Sequence, residues 1–433
     1  MKLNYRNTIL TGLAFMTISA FWQMYDFHIP LILKSTFGIG DYYSGYIMSA
    51  DNVVALLLLP LFGSMSDRAN SRIGRRMPFI IFGTITAVVT MMIIPYAVHA
   101  QQLVLFMVAL GLVLIFMSVY RSPAVALMPD ITPKPLRSKG NAVINLMGAI
   151  GGALILLANK FLAPDTDHPE TANYWPIFMI VAGIMIVGTV ILVLTVNEPK
   201  LVKKMRLDSA AMGIDPEEAQ ETTVRVKNRL PREVKVSMGF ILASIALWFM
   251  GYNAVTTAFS KYAVFKLGMA EGDASTILMV AIIAATIAFI PIGIIASRVG
   301  RRKTILVGIV LLTAVFGTAI LYTEYTPLMY VSFAVAGIGW AAINVNSLPM
   351  VLEMAKGADV GKFTGYYYTF SMAAQVLTPI ASGWLLEHVD YWTLFPYGAT
   401  FIALAFFTML MVRHGDSRPD APKNKLEAFD TAD

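Results

Sequence analysis

Apolar runs long enough to cross a lipid bilayer recur along the whole chain, among them "MPFIIFGTITAVVTMMIIPYAV" from Met77 and "YWPIFMIVAGIMIVGTVILVLTV" from Tyr174. A run of about 20 apolar residues matches the bilayer's hydrocarbon thickness as a helix. Within lipid only a helix or a closed barrel satisfies its own backbone, so repeated runs of this length predict an all-α, multi-pass membrane protein. Composition agrees: 57% of the 433 residues are hydrophobic and 14% charged, where soluble chains carry about a quarter charged residues. The start, "MKLNYRNTIL", leads into an apolar stretch longer than a signal peptide's and lacks a small-residue cleavage site, so no cleaved leader is expected. The absence of cysteine excludes disulfides and thiolate metal sites. The net charge of +6 sits in short loops between apolar runs, which fits membrane topology rather than nucleic-acid binding.

Twelve spans are expected, at 8–33, 42–66, 77–97, 102–128, 141–163, 174–197, 238–262, 274–297, 304–322, 327–352, 363–386 and 392–412. Of the 33 lysines and arginines, Lys34, Lys160, Lys261 and Lys266 fall on one side and Arg121 within a span; all the others fall on the opposite side. The positive-inside rule then places both termini in the cytoplasm, with the protein in the inner or plasma membrane. The expected organisation is an N-terminal six-helix bundle (1–197), a polar cytoplasmic loop with a short surface helix (198–237), a C-terminal six-helix bundle (238–412) and a cytoplasmic tail (413–433).

Four arginines crowd into "GSMSDRANSRIGRRMPF" (63–79), between the second and third spans. A related string, "GIIASRVGRRK" (293–303), joins the eighth span to the ninth. Both have a glycine, then Asp-Arg or Ser-Arg, then Gly-Arg-Arg, at corresponding places in two six-span halves, which points to duplicated architecture. The first copy is four residues longer.

This turn resembles the signature loop of the major facilitator superfamily, and the resemblance extends over all twelve spans. It implies two pseudo-symmetric six-helix bundles and transport by alternating access. It also implies a cytoplasmic gate built from Gly63, Asp67, Arg68, Gly74, Arg75 and Arg76, with Asp130, Glu198, Arg298, Arg301, Arg302 and Glu353 at neighbouring helix ends. Gly63 and Gly74 suit close helix approach and a tight turn. The string "PLFGSMSDRANSRIGRRMPFI" is similar to the sucrose-transporter and glycoside–pentoside–hexuronide:cation symporter branch, as are "YRSPAVALMPD" (120–130) and "VGKFTGYYYTFSMAAQVLTPIASG" (360–383). Two departures limit the match. Plant sucrose carriers have an arginine where this chain has Val125, and melibiose-type sodium carriers have an aspartate pair close before a proline where this chain has "ALLLL" before Pro60. The second departure favours a proton over sodium as the coupling ion.

A charge at mid-membrane costs about 2.5–3.5 kcal/mol or more, so each one requires a reason. Asp26 in the first span and Asp51 in the second lie at similar depth on consecutive antiparallel helices. Two such carboxylates can bind and release a proton, or coordinate sodium; the alternative for either is a structural hydrogen bond to Asn52, Tyr25 or a nearby backbone group. His28 reads as a wet residue at the helix end. Arg121, beside Pro123 in the fourth span, is expected to reach a cavity or to neutralise an acid across the bundle.

Sugar sites combine stacking aromatic rings with neutral hydrogen-bonding groups. Trp22, Gln23, Tyr25 and Asn145 in the first half, and Tyr252, Asn253, Thr257, Asn344, Asn346, Tyr367, Tyr368 and Gln375 in the second, supply both kinds. Each taken alone is also explained by packing between helices. Together they point to an uncharged, hydroxyl-rich small molecule as partner, alongside the bilayer itself. No nucleotide loop, zinc-spaced histidine pair or nucleophile elbow indicates an enzyme. No cofactor beyond the coupling ion is expected, and one chain suffices for a complete pathway. The expected function is proton-coupled sugar symport. The alternatives are a proton-driven exporter of small organic compounds and a non-transporting sugar sensor on the same fold.

Overall fold

The computed structural model describes residues 3–133, 136–162, 172–211, 231–354 and 360–416, and the described residues are dominated by long helices. These are α1 (Tyr5–Ser35), α2 (Asp41–Arg68), α3 (Met77–Met91), α4 (Ile93–His99), α5 (Leu103–Ile131), α6 (Arg137–Leu162), α7 (Trp175–Thr195), α8 (Glu198–Ala211), α9 (Arg232–Lys261), α10 (Glu271–Val299), α11 (Arg301–Ala319), α12 (Leu328–Met354), α13 (Val360–His388) and α14 (Leu394–Leu410). Among the described residues ten segments are long and apolar enough to cross a membrane, α3 and α4 forming one of them; α1 and α13 complete the twelve expected. The remaining helix, α8, is the short polar one that follows the sixth span; residues 212–230 of the expected loop and the tail from 417 lie outside the described residues. Prolines occur inside α1, α2, α5, α10, α12 and α13. Neighbouring helices and side chains accommodate the carbonyls that such prolines free.

The chain divides into two compact units. One comprises Met1–Gly38 and Ala50–Thr222, the other Ile39–Ser49 and Thr223–Asp433. In the first unit α1 packs on α6 and α7, and α3 on α5 and α7; in the second α9 packs on α13 and α14, and α11 on α12 and α14. The second set repeats the first, helix for helix, six spans later, so the duplication seen in the loops extends to the packing. Lipid supplies no hydrophobic force between helices, and close approach through small residues takes its place. A Cβ added at Gly151 of α6 would fall 2.1 Å from the Met16 carbonyl oxygen of α1, and one at Gly337 of α12 would fall 2.2 Å from the Ala281 carbonyl oxygen of α10.

The second unit contains a buried ion pair. Lys261, at the end of α9, donates from Nζ to Asp41 Oδ1 at 2.6 Å, and the Tyr391 hydroxyl donates to Asp41 Oδ2 at 2.7 Å. The two charged side chains are 5% and 0% exposed. A π-helical turn, Tyr262–Lys266, follows Lys261 and carries Lys266 to Asp390 at 2.7 Å. The Lys266 hydrogen bond, with the Trp392 amide, holds the Asp390 carboxyl below its usual range.

Removing one partner of a buried pair leaves an uncompensated charge. Asp41→Ala is therefore expected to cost about 3–5 kcal/mol, read as a lowered melting midpoint in detergent, while Asp41→Leu with Lys261→Met recovers most of the loss. Asp390 titrates lower when folded, so its contribution is present at neutral pH and fades as acid protonates it. The melting difference between wild type and Asp390→Asn is expected to narrow as pH falls below about 3.9.

Candidate transport site

Five side chains from three helices of the first unit gather around the carboxyl groups. On α1, Phe21, Trp22 and Tyr25 form an aromatic cluster with ring centroids 5.2–6.1 Å apart. The Arg121 guanidinium of α5 lies 5.7 Å from the Trp22 ring centroid, within cation–π range. Asp26 of α1 and Asp51 of α2 interact electrostatically, and Asp51 interacts in turn with Arg121. Asp51 Oδ1 also accepts from the Asn52 backbone amide at 2.6 Å and from Asn52 Nδ2 at 2.8 Å. The structural hydrogen bond that the sequence offered as an alternative is thus present at Asp51, together with its proximity to Asp26 and Arg121. His28 departs from expectation: it is fully buried and packs edge-on against Tyr174 at 5.8 Å. The sequence suggested a wet helix end because Lys34 follows within two turns, but the folded α1 is buried beyond that point.

Several polar atoms here are buried without a hydrogen-bond partner: Trp22 Nε1, the Tyr25 hydroxyl and Asn145 Nδ2. Each can donate a proton. Buried donors left unpaired are costly, so the arrangement suits a ligand or water rich in acceptor oxygens. Gln23 is half-buried beside Trp22.

In the second unit, Tyr252 of α9 stacks on Trp340 of α12 at 3.7 Å with their planes 3° apart, and Phe249 meets Trp340 edge-on at 5.3 Å. Asn253 Nδ2 is buried and unpartnered, whereas Thr257 donates to the Asn253 carbonyl at 2.6 Å within its own helix. Asn346 Nδ2 likewise turns back on its own helix, to the Ala342 carbonyl at 2.9 Å. Tyr367 is buried and bonds Ser347 at 3.1 Å. Tyr368 is exposed, and Asn344 and Gln375 are half-buried. Of these second-unit residues, Tyr252 and Asn253 thus offer a stacked ring and a free donor, while Thr257, Asn346 and Tyr367 are committed to internal bonds. Trp340 escaped the sequence reading because a tryptophan among apolar residues reads as packing; its stacking on Tyr252 exists only in three dimensions.

The Gly-Arg-Arg turns are built alike in the two units. In the first, Arg76 is almost fully buried; its Nε donates to Asp130 Oδ2 at 2.8 Å, and its two terminal nitrogens reach Ser66, Asp67 and, at 3.4 Å, the Gly63 carbonyl. Arg75 pairs with the other Asp130 oxygen at 2.8 Å. The Glu198 carboxylate accepts the backbone amides of Arg75, Arg76 and Met77 at 2.9–3.1 Å, capping the N-terminus of α3. Gly74 has φ +117°, and a Cβ there would fall 2.2 Å from Glu198 Oε2. A side chain is excluded twice over, by the backbone angle and by the cap. In the second unit Arg301 pairs with Glu353 at 2.9 Å, Arg302 donates to the Leu410 carbonyl at 2.7 Å, and Asp416 accepts the Arg302 amide at 2.8 Å beside Gly300, φ +101°. Arg68 and Arg298 are exposed. Asp416, the counterpart of Glu198, was missed by sequence reading. Its signal was an acidic residue shortly after the last span, repeating the one after the sixth.

Long helices in two units whose packing and Gly-Arg-Arg turns repeat one another define a multi-pass helical protein of duplicated architecture. The chain belongs to the Major Facilitator Superfamily, whose description it matches over residues 11–290 and 241–431. It is 24% identical over 204 residues to the uncharacterized MFS-type transporter C18.02 of Schizosaccharomyces pombe, covering 44% of this chain and 45% of that one. It is 28% identical over 138 residues to the sucrose transport protein SUC3 of Arabidopsis thaliana, covering 28% of this chain and 23% of that one. These matches span less than half of either relative. The fold is similar to that of the nucleoside transporter NupG, with TM-score 0.62 and 17% identity over 95% of this chain and 100% of that one. Members of this family are transporters rather than enzymes. Among the described residues, no group of three His, Cys, Asp or Glu side chains is placed to hold a metal ion.

Loss of the Glu198 cap strands three amides at a buried helix start, whereas loss of Asp416 strands one. Glu198→Ala is expected to cost about 1.5–3 kcal/mol, read as a melting midpoint lowered further than in Asp416→Ala.

Proposed function

We propose that the protein is a proton-coupled symporter of a neutral sugar, a di- or oligosaccharide such as an α-glucoside, working by alternating access as a monomer in the plasma membrane with both termini cytoplasmic. The observation that carries this reading is the juxtaposition of Asp26, Asp51, Arg121 and Trp22 in the first unit. A carboxyl pair with one arginine leaves one negative charge for a proton to neutralise, and the proton's arrival and departure alter the field at the aromatic cluster. In this scheme Asp51, hydrogen-bonded to Asn52 and close to Arg121, remains the fixed charge while Asp26 carries the transported proton. In the first unit the unpartnered donors at Trp22, Tyr25 and Asn145 suit the oxygens of a sugar; in the second unit, taken by itself, Asn253 is a donor of the same kind and the Tyr252–Trp340 stack suits an apolar ring face. Likeness to a sucrose transport protein supports the same cargo class. The two latch turns supply the two-state element: ion pairs at helix ends that hold in one arrangement and release in the other. One proton moving down 100 mV gains about 2.3 kcal/mol, enough for roughly fifty-fold accumulation.

The test is proton flux in proteoliposomes carrying an internal pH dye, with maltose and sucrose added outside. Sugar-triggered acidification is expected in wild type. Asp26→Asn should abolish acidification yet keep exchange of labelled sugar across the membrane, and Asp51→Asn should weaken both. Absence of acidification with either sugar, with or without sodium, refutes the symport reading.

A further inference from the structure

Asn159 on α6 is 1% exposed, and neither its Oδ1 nor its Nδ2 has a hydrogen-bond partner. A carboxamide at the apolar interior of a helix pair, with donor and acceptor both unmet, is a cost that selection removes unless something occupies it. Its neighbourhood follows from the register of α1 on α6, which run in the same direction. A Cβ at Gly12 would meet Met147 and Ile144; Ser19 lies against Gly148, and Met16 against Gly151. Asp26 stands two turns beyond Ser19 on that face of α1, and Asn159 stands three turns beyond Gly148 and two beyond Gly151 on α6. The same register therefore brings Asp26 and Asn159 to one level of the helix pair. At about 100° per residue both turn from the contact line toward the same side, the side to which Trp22 also turns on α1.

We propose that Asn159 is a positioning residue for Asp26, its carboxamide holding the proton-binding carboxyl through one bridging water. This rests on the assignment of Asp26 to proton coupling. An amide suits that task better than a second acid, because it carries no charge and yet serves both protonation states. Nδ2 donates toward the carboxylate, and Oδ1 accepts from the acid. Ionisable groups on the surrounding elements include Tyr25, His28 and Lys34 on α1, Asp51 on α2, Tyr120, Arg121 and Asp130 on α5, Arg137, Lys139 and the exposed Lys160 on α6, and Tyr174 before α7, which itself carries no charged residue. Asn159 itself is uncharged over the whole pH range, and neither polar atom of its side chain has a hydrogen-bond partner.

The test is infrared difference spectroscopy of the full-length protein in lipid nanodiscs during a pH titration, following the carbonyl stretch of the protonated carboxylic acid. A band lost in Asp26→Asn belongs to Asp26. In Asn159→Leu that band is expected at higher frequency, its titration midpoint about one unit toward higher pH, the size expected from one hydrogen bond to a charged group. Asn159→Ala gives the same readout if leucine does not fit, and Asn159→Ser, which keeps a donor and an acceptor, stays near wild type. An Asp26 band that is unmoved in frequency and midpoint by Asn159→Leu and by Asn159→Ala overturns the role of Asn159 and leaves the symport reading standing. Absence of any band sensitive to Asp26→Asn overturns both.

Discussion

Hydrocarbon gives polar groups no solvent, and every charged or hydrogen-bonding side chain placed within the bilayer must find its partner in the protein. That constraint orders this molecule. Apolar spans satisfy it through their own backbone ladders, and small residues such as Gly151 and Gly337 bring helices into carbonyl contact. The few charges are collected into groups in which each neutralises another: Asp41 with Lys261, Arg76 with Asp67 and Asp130, Arg301 with Glu353. The groups that remain unsatisfied are correspondingly informative, and in the first unit they include Trp22 and Tyr25, which share α1 with Asp26.

The Gly-Arg-Arg turns show how duplication and specialisation coexist. In both units a glycine at positive φ allows an acidic residue from beyond the unit's last span to cap the third helix, and an arginine reaches the acidic end of the fourth. The first unit holds its turn with a bidentate carboxylate on three amides and a nearly buried arginine; the second uses one amide contact and carbonyl acceptors. Charge-assisted bonds to several amides are stronger than single ones. The first turn is accordingly the more tightly held, and it is also the one in which the longer loop and Asp67 occur.

Much of this was legible beforehand because the bilayer imposes a one-dimensional code. Span number follows from hydropathy, the expected orientation from lysine and arginine placement, and duplication from two similar loops at matching positions. The Gly-Arg-Arg turns were legible too, since their family pattern is local in sequence. The candidate transport site was legible only in outline. Asp26, Asp51 and Arg121 stand out as charges in apolar runs, but Trp340, Asn159 and Asp416 carry no such contrast. Thr257 and Asn346 had the right chemistry, yet each bonds its own helix, a choice set by rotamer and backbone geometry rather than by residue type.

The sequence by itself determined an all-helical membrane protein with twelve spans in two related halves, because insertion depends on the composition of each segment and scarcely on its neighbours. Which polar residues meet was decided by tertiary structure alone. The rotation and register of packed helices settle that Asp41 receives Lys261 and Tyr391, that Trp22 receives Arg121, and that His28 is buried. Those variables depend on side-chain shape along entire helix faces, information spread too thinly over the chain to be read from any single stretch of it.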